Sequence, residues 1–136
     1  MYYLILDDMR SIMVVDKMSP KEHKVPYVET VILVTNYDEF VECIKNNGIP
    51  EKIWYDHDLG IEHYPCSEPD GGISNPIEIP YDSYTEKTGF DCAKWLVEYC
   101  ADKNIIHPPF YVHSMNPIGK YNIISYIESY NRSRTL

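Results

Sequence analysis

The residues best suited to chemistry come in short polar runs that end apolar stretches. Leu4-Ile5-Leu6 stops at Asp7-Asp8-Met9-Arg10, and Ile53-Trp54-Tyr55 stops at Asp56-His57-Asp58 before Leu59-Gly60. A third apolar run, Phe110-Tyr111-Val112, stops at His113-Ser114-Met115-Asn116. Strand alternation would place Asp56 and Asp58 on one side and His57 on the other. Carboxylates this close repel unless a cation, a proton or a basic side chain comes between them. Hard carboxylate oxygens suit Mg²⁺ or Mn²⁺, and a cation held there would polarise a phosphoryl oxygen. Imidazole ordinarily titrates near neutrality, so His57 and His113, with Asp58 beside the first, are the candidate catalytic residues. One could activate a water and the other protonate a leaving oxygen. Arg10 could brace the oxygens of a phosphate. The plainer reading is a set of polar strand ends, with Arg10 only pairing Asp7 and each histidine only bonding a nearby carboxylate.

The elements that would bring these runs together are legible in order. Tyr2–Leu6 reads as a buried strand. Residues 11–27 lack a sustained helical period and contain Pro20 and Pro26, which predicts an irregular connection with at most a helical turn. Residues 28–34 are β-branched and read as a second strand. Asn36 followed by Glu39 is a capping-box pattern; Phe40, Val41 and Ile44 continue at helical spacing, and Gly48 ends the helix. Thr88 and Asp91 cap a further helix whose buried stripe is Phe90, Ala93, Leu96, Val97 and Cys100. Asn116-Pro117 opens the last helix, with Ile118, Tyr121, Ile124 and Ile127 on its inner face and a fraying tail from Asn131. Strands alternating with helices predict an α/β fold: a parallel sheet of about four strands flanked by helices, all strands ending at one edge. That edge gathers Asp7, Asp8, Asp56, Asp58, His113 and Ser114. The helices starting near Thr88 and Asn116 point their amino ends at the same crevice, an arrangement that suits a phosphate.

Length and charge bound what such a crevice can serve. The 136 residues fit one domain, residues 1–136, interrupted by a long insertion at 61–87 rich in proline, glycine and tyrosine. Its tyrosines Tyr64, Tyr81 and Tyr84 could cover a ligand as a lid, or the insertion could dock a protein partner. A formal net charge of −9 with no basic stripe argues against gripping long duplex nucleic acid by its backbone. A small phosphorylated ligand remains, either a cyclic nucleotide or an RNA terminus. Cys43, Cys66, Cys92 and Cys100 lack zinc-type spacing and read as reduced. Neither a signal peptide nor a membrane span is visible, so a cytoplasmic protein is expected. His23, His63 and His107 are expected at the surface.

The acid pair after the first strand, with Asp56 after a later one, resembles the acidic pocket of response-regulator receiver domains, a flavodoxin-like fold. In that family the paired acids and the later aspartate bind Mg²⁺. The resemblance therefore implies Asp7, Asp8 and Asp56 as metal ligands, places Ser114 near the receivers' conserved hydroxyl, and puts position 58 where they offer a backbone carbonyl. Receivers carry a fifth strand ending in lysine; here that strand is missing, and Lys120 lies on a helix. A variant group is more similar: the receiver-like domains of bacteria and phages predicted to process cyclic phosphates. Leu6-Asp7-Asp8-Met9-Arg10, Asp56-His57-Asp58-Leu59-Gly60, Thr88-Gly89-Phe90-Asp91 and the run from His113 to Gly119 match it in order. Carried over, Arg10, Thr88, Ser114, Asn116 and Gly119 contact substrate. The implied activity is metal-dependent hydrolysis of a cyclic phosphate. The alternatives are a non-catalytic module that sequesters a nucleotide or docks a protein, and a signalling receiver phosphorylated at Asp56.

Overall fold

Residues 1–27, 29–60 and 87–134 are described by the computed structural model. Four strands, β1 (Tyr3–Leu6), β2 (Val31–Val34), β3 (Ile53–Tyr55) and β4 (Phe110–Val112), form an all-parallel sheet in the order β2-β1-β3-β4. Four helices complete the fold: α1 (Ile12–Met18), α2 (Tyr37–Asn47), α3 (Gly89–Asp102) and α4 (Pro117–Arg134). The central strands β1 and β3 are apolar on both faces, as burial between layers requires. One face supplies Leu4, Leu6, Ile53 and Tyr55 to a core shared with Phe40, Ile44, Leu96, Ile123 and Ile127 of the helices α2, α3 and α4. The other face supplies Ile5 and Trp54 to a smaller core closed by Val15 of α1 and by Val25.

The capping residues work as their chemistry dictates. Thr88 and Asp91 form a reciprocal capping box at α3. Asn116 Oδ1 accepts the backbone N–H groups of Ile118 and Gly119 at 3.2 and 3.0 Å. At α2, Asn36 accepts from the Glu39 backbone, but Glu39 turns to the N–H and hydroxyl of Thr35, both at 2.8 Å, so only half of the expected box forms. Gly48 closes α2 with φ of 86°, a conformation that favours glycine.

Several expectations need correction. Residues 12–18 form a true helix, nucleated by the Ser11 cap on Val14, where an irregular connection was expected. Its inward face is carried by little more than Val15, too little to leave a helical period in the sequence. β2 begins at Val31, because a turn closed by the Glu29 N–H on the Pro26 carbonyl precedes it. The inner stripe of α4 is Gly119, Ile123 and Ile127; Tyr121 points to solvent at 67% exposure. The tail stays helical to Arg134. His107 is buried, not superficial: Nδ1 donates to the Pro108 carbonyl at 2.6 Å and Nε2 accepts the Tyr55 hydroxyl at 2.7 Å. His23 is half-buried and stacked on Tyr111. Cys43, Cys92 and Cys100 are free and buried. Cys66, His63 and the proposed lid at 61–87, apart from Lys87, lie outside the described residues.

Two glycines let the helices close on the end of β3. A Cβ on Gly89 would stand 1.8 Å from the Asp56 carbonyl oxygen, and one on Gly119 would stand 2.3 Å from the His57 ring. Gly89 also donates its N–H to the His57 carbonyl at 2.7 Å. The obstacle at Gly89 is backbone, which cannot swing aside, whereas at Gly119 it is a side chain. Gly89→Ala should therefore cost about 3 kcal/mol of stability, near the upper end of typical overpacking losses, and Gly119→Ala less. Urea unfolding measures both; equal stability of Gly89→Ala and the parent would refute the clamp.

Candidate functional site

At the carboxyl edge of the sheet, Asp7 follows β1, Asp56 to Asp58 follow β3, and His113 and Ser114 follow β4. The open end of a parallel sheet is where such folds bind ligands. Asp7 is almost wholly buried and its four acceptor positions are taken. Oδ1 receives the backbone N–H groups of Met9 and Arg10 at 2.9 and 2.8 Å. Oδ2 receives the Arg10 guanidinium at 3.1 Å and His113 Nε2 at 2.8 Å. The same Arg10 Nη1 reaches Asp56 Oδ2 at 3.5 Å. Arg10 is thus the cation between the two acids, pairing both and not Asp7 alone. Its side chain is 24% exposed against 0% and 3% for the acids, so it is the group of the three that meets solvent.

Asp58 parts company with Asp56. β3 ends at Tyr55, so alternation no longer governs the residues beyond it. Asp58 Oδ1 accepts His57 Nδ1–H at 2.8 Å and the Asn116 amide at 3.2 Å, which ties the end of β3 to the start of α4. The His57 ring is completely buried, with Gly119 against it. Ser114 Oγ accepts the Asn116 N–H at 3.1 Å, and the Thr88 hydroxyl donates to Asp91 at 3.1 Å within the cap. Thr88, Asn116 and Gly119 are therefore already engaged in shaping the walls.

Asp7, Asp56 and His113 each offer a ligand atom, and these atoms lie within 4.8 Å of one another in buried surroundings. The half-buried Asp8 is outside this group. The donor set, two carboxylates and an imidazole, fits a divalent cation, and the other ring nitrogen of His113, Nδ1, is buried with no hydrogen-bond partner among the described residues. Buried polar atoms rarely stay unpaired without cost.

Residues 2–129 match the family model of the cyclic-phosphate processing receiver domain. The chain belongs to that family. No curated protein and no solved structure matches it. In this receiver domain the parallel sheet of four strands is the one expected, and its order is β2-β1-β3-β4. Among the described residues, no helix is long and apolar enough to cross a membrane.

The receiver's acids are held in opposite electrostatic states. Burial raises Asp56, and the charge of Asp7 raises it further, to about 6, against weaker opposition from His113 and Arg10. For Asp7, burial pushes upward, but the His113 hydrogen bond and the N–H groups of Met9 and Arg10 prevail and bring it to about 2. At the far end of β3, burial lowers His107 to about 4 despite its bond to the Pro108 carbonyl.

These shifts set a pH profile. Folded Asp56 holds its proton more tightly than the unfolded chain does, so its contribution to stability falls as pH rises from 3.8 to about 6. Folded His107 binds protons less readily, so its contribution rises with pH from about 4 to 6.5. Each shift corresponds to about 3 kcal/mol at the usual conversion, and the two cancel across nearly the same window. Unfolding free energy measured in chelator between pH 4 and 6.5 should be nearly flat for the parent. Asp56→Asn should uncover a rise with pH and His107→Gln a fall. Parallel curves for the two variants would show that these groups do not set the profile.

Proposed function

We propose that the chain is a metal-dependent hydrolase of a cyclic phosphate on a nucleotide or an RNA end. The observation that carries this reading is the buried cluster of Asp7, Asp56 and His113 at the ligand-binding edge of a cyclic-phosphate processing receiver. In this reading these three residues hold the cation, with Asp8 at the rim. Imidazole in the donor set favours Mn²⁺ over Mg²⁺. A bound divalent ion would neutralise the carboxylates and polarise a phosphoryl oxygen.

The protein's own groups divide the remaining work. Arg10, partly exposed at the mouth, receives the phosphate and shifts some of its charge from the acids to the substrate oxygens. Ser114 offers a hydroxyl beside His113. Asp58 holds His57 in the Nδ1–H tautomer, so that Nε2 is the basic nitrogen of a positioned pair. One water is consumed: it gives a proton to a base and its oxygen bonds phosphorus. One ring P–O bond breaks, and the departing ribose oxygen takes up a proton. His57 is the group assigned to carry this proton from the water to the leaving oxygen, since His113 is engaged as a ligand.

A second reading is favoured by Arg10, which already bridges the two acids. With that charge built in, the site could sequester a nucleotide without turning it over. Phosphorus NMR of a nucleoside 2′,3′-cyclic phosphate, with Mn²⁺ or with chelator, separates the two. Hydrolysis predicts a phosphomonoester with Mn²⁺ only. Asp56→Asn should remove both turnover and most of the Mn²⁺-induced rise in Tm, and His57→Gln should cut turnover about a hundredfold or more while leaving that rise in place. An unchanged Tm rise in Asp56→Asn would overturn the metal assignment, and tight binding without product would favour sequestration.

A further inference from the structure

The second face of the sheet carries cations and rings that the acid cluster does not use. Lys52, just before β3, has its Nζ 2.6 Å from His23 Nδ1 and 5.0 Å from the centre of the Trp54 ring. His23 stacks on Tyr111 of β4 with centres 4.6 Å apart, and Lys120 in the first turn of α4 sits 5.3 Å from that same Tyr111 ring. Register places Trp54 beside Tyr111, and Tyr111 is two residues from His113. The series therefore starts near the acid edge with Lys120 and runs through Tyr111 and His23 to Lys52 at the opposite end of the strands. Lys21 and Lys24 flank His23 and are exposed.

In a chain of net charge −9, lysines have carboxylates in ample supply. Yet among the described residues Lys52 and Lys120 pair with none, and each rests over an aromatic ring instead. The Asp16 carboxylate is spent on the Val25 N–H at 2.8 Å, and Lys24 caps the Asp16 carbonyl at 2.8 Å. Burial and the charge of Lys52 hold His23 below its ordinary range against the pull of Glu22. Cations spaced along the half-buried rings of His23 and Tyr111 suit a single-stranded nucleic acid, whose phosphates meet the lysines, while the buried Trp54 ring serves to seat Lys52.

We infer that this strip binds the single strand leading into the site, so that the substrate is an oligonucleotide end and not a free mononucleotide. The inference rests on the reading of the site as one that takes a terminal cyclic phosphate, and adds which molecule carries it. The acidic remainder of the surface disfavours duplex, whose charge is denser.

The test compares a labelled single-stranded RNA of about six nucleotides ending in a 2′,3′-cyclic phosphate with a nucleoside 2′,3′-cyclic phosphate, by anisotropy and competition. The oligomer should bind at least tenfold more tightly. Lys52→Gln with Lys120→Gln should remove that advantage and lower the salt slope by roughly 1.4, for two phosphates at about 0.7 each, with the mononucleotide unaffected. Each single variant should take about half of the slope change, which preserves the test if the double variant fails to fold. Lys52→Arg with Lys120→Arg should keep the advantage. Equal losses for both ligands would overturn the strip, as would an oligomer no tighter than the mononucleotide. So would lysine-dependent binding to phosphatidylserine vesicles with oligomer binding unchanged. Lysine-dependent oligomer binding without turnover would keep the strip and overturn the reaction; turnover of the mononucleotide with no lysine effect would do the reverse.

Discussion

Everything at the carboxyl edge of this sheet answers to one constraint: Asp7 and Asp56 are buried side by side and cannot both carry an uncompensated charge. The chain resolves it unequally. Asp7 takes nearly all the donors, two from its own turn, one from Arg10 and one from His113, while Asp56 takes the Arg10 contact at longer range and the His57 N–H at 2.9 Å. One acid is thereby fixed as an anion and the other is left close to neutrality in its titration. A site arranged this way is responsive, because a cation or a phosphate entering it changes the balance that Asp56 depends on.

The rest of the architecture serves to hold that crowding in place. Gly89 and Gly119 bring α3 and α4 into contact with the end of β3, closer than any side chain would permit. A hydrogen bond from the Asn116 amide to Asp58 joins α4 to the same end of β3. Tyr55 and His107 anchor β3 from within the core, and the His107 N–H is held in turn by Asn131, near the end of α4, at 3.0 Å. The carboxyl end of β3 is thus tied to both the start and the end of the last helix, which explains why a three-residue strand can carry three polar residues beyond it in a fixed arrangement.

The sequence was legible wherever local chemistry decides. Apolar runs ending in polar residues revealed three strands and their shared edge, and side-chain caps marked the starts of α2, α3 and α4. Reading failed where the decisive partner is remote. α1 shows no period because its single fully buried residue serves a thin core. His107 looked superficial beside Pro108 and Pro109, yet Tyr55, 52 residues away, takes it inside. Alternation placed Asp58 with Asp56, but the strand had already ended. His113 was placed at the acid edge by its strand end, but its bond to Asp7, across 106 residues, was not visible. Gly119 carried one local sign: a glycine inside a helix weakens it, so one that is retained there has a packing reason.

The unequal covering of the sheet has a consequence for how the molecule can be observed. Three helices close one face and a seven-residue helix closes the other, and the chain's two tryptophans are divided between them. Trp54 lies in the smaller core, fully buried, while Trp95 packs on Phe40 and Tyr99 beside the larger one. The two indoles are natural, separately addressable fluorophores, one for each half of the interior. Replacing either by phenylalanine leaves a single optical probe, with which detachment of α1 can be timed independently of the collapse of the three-helix layer.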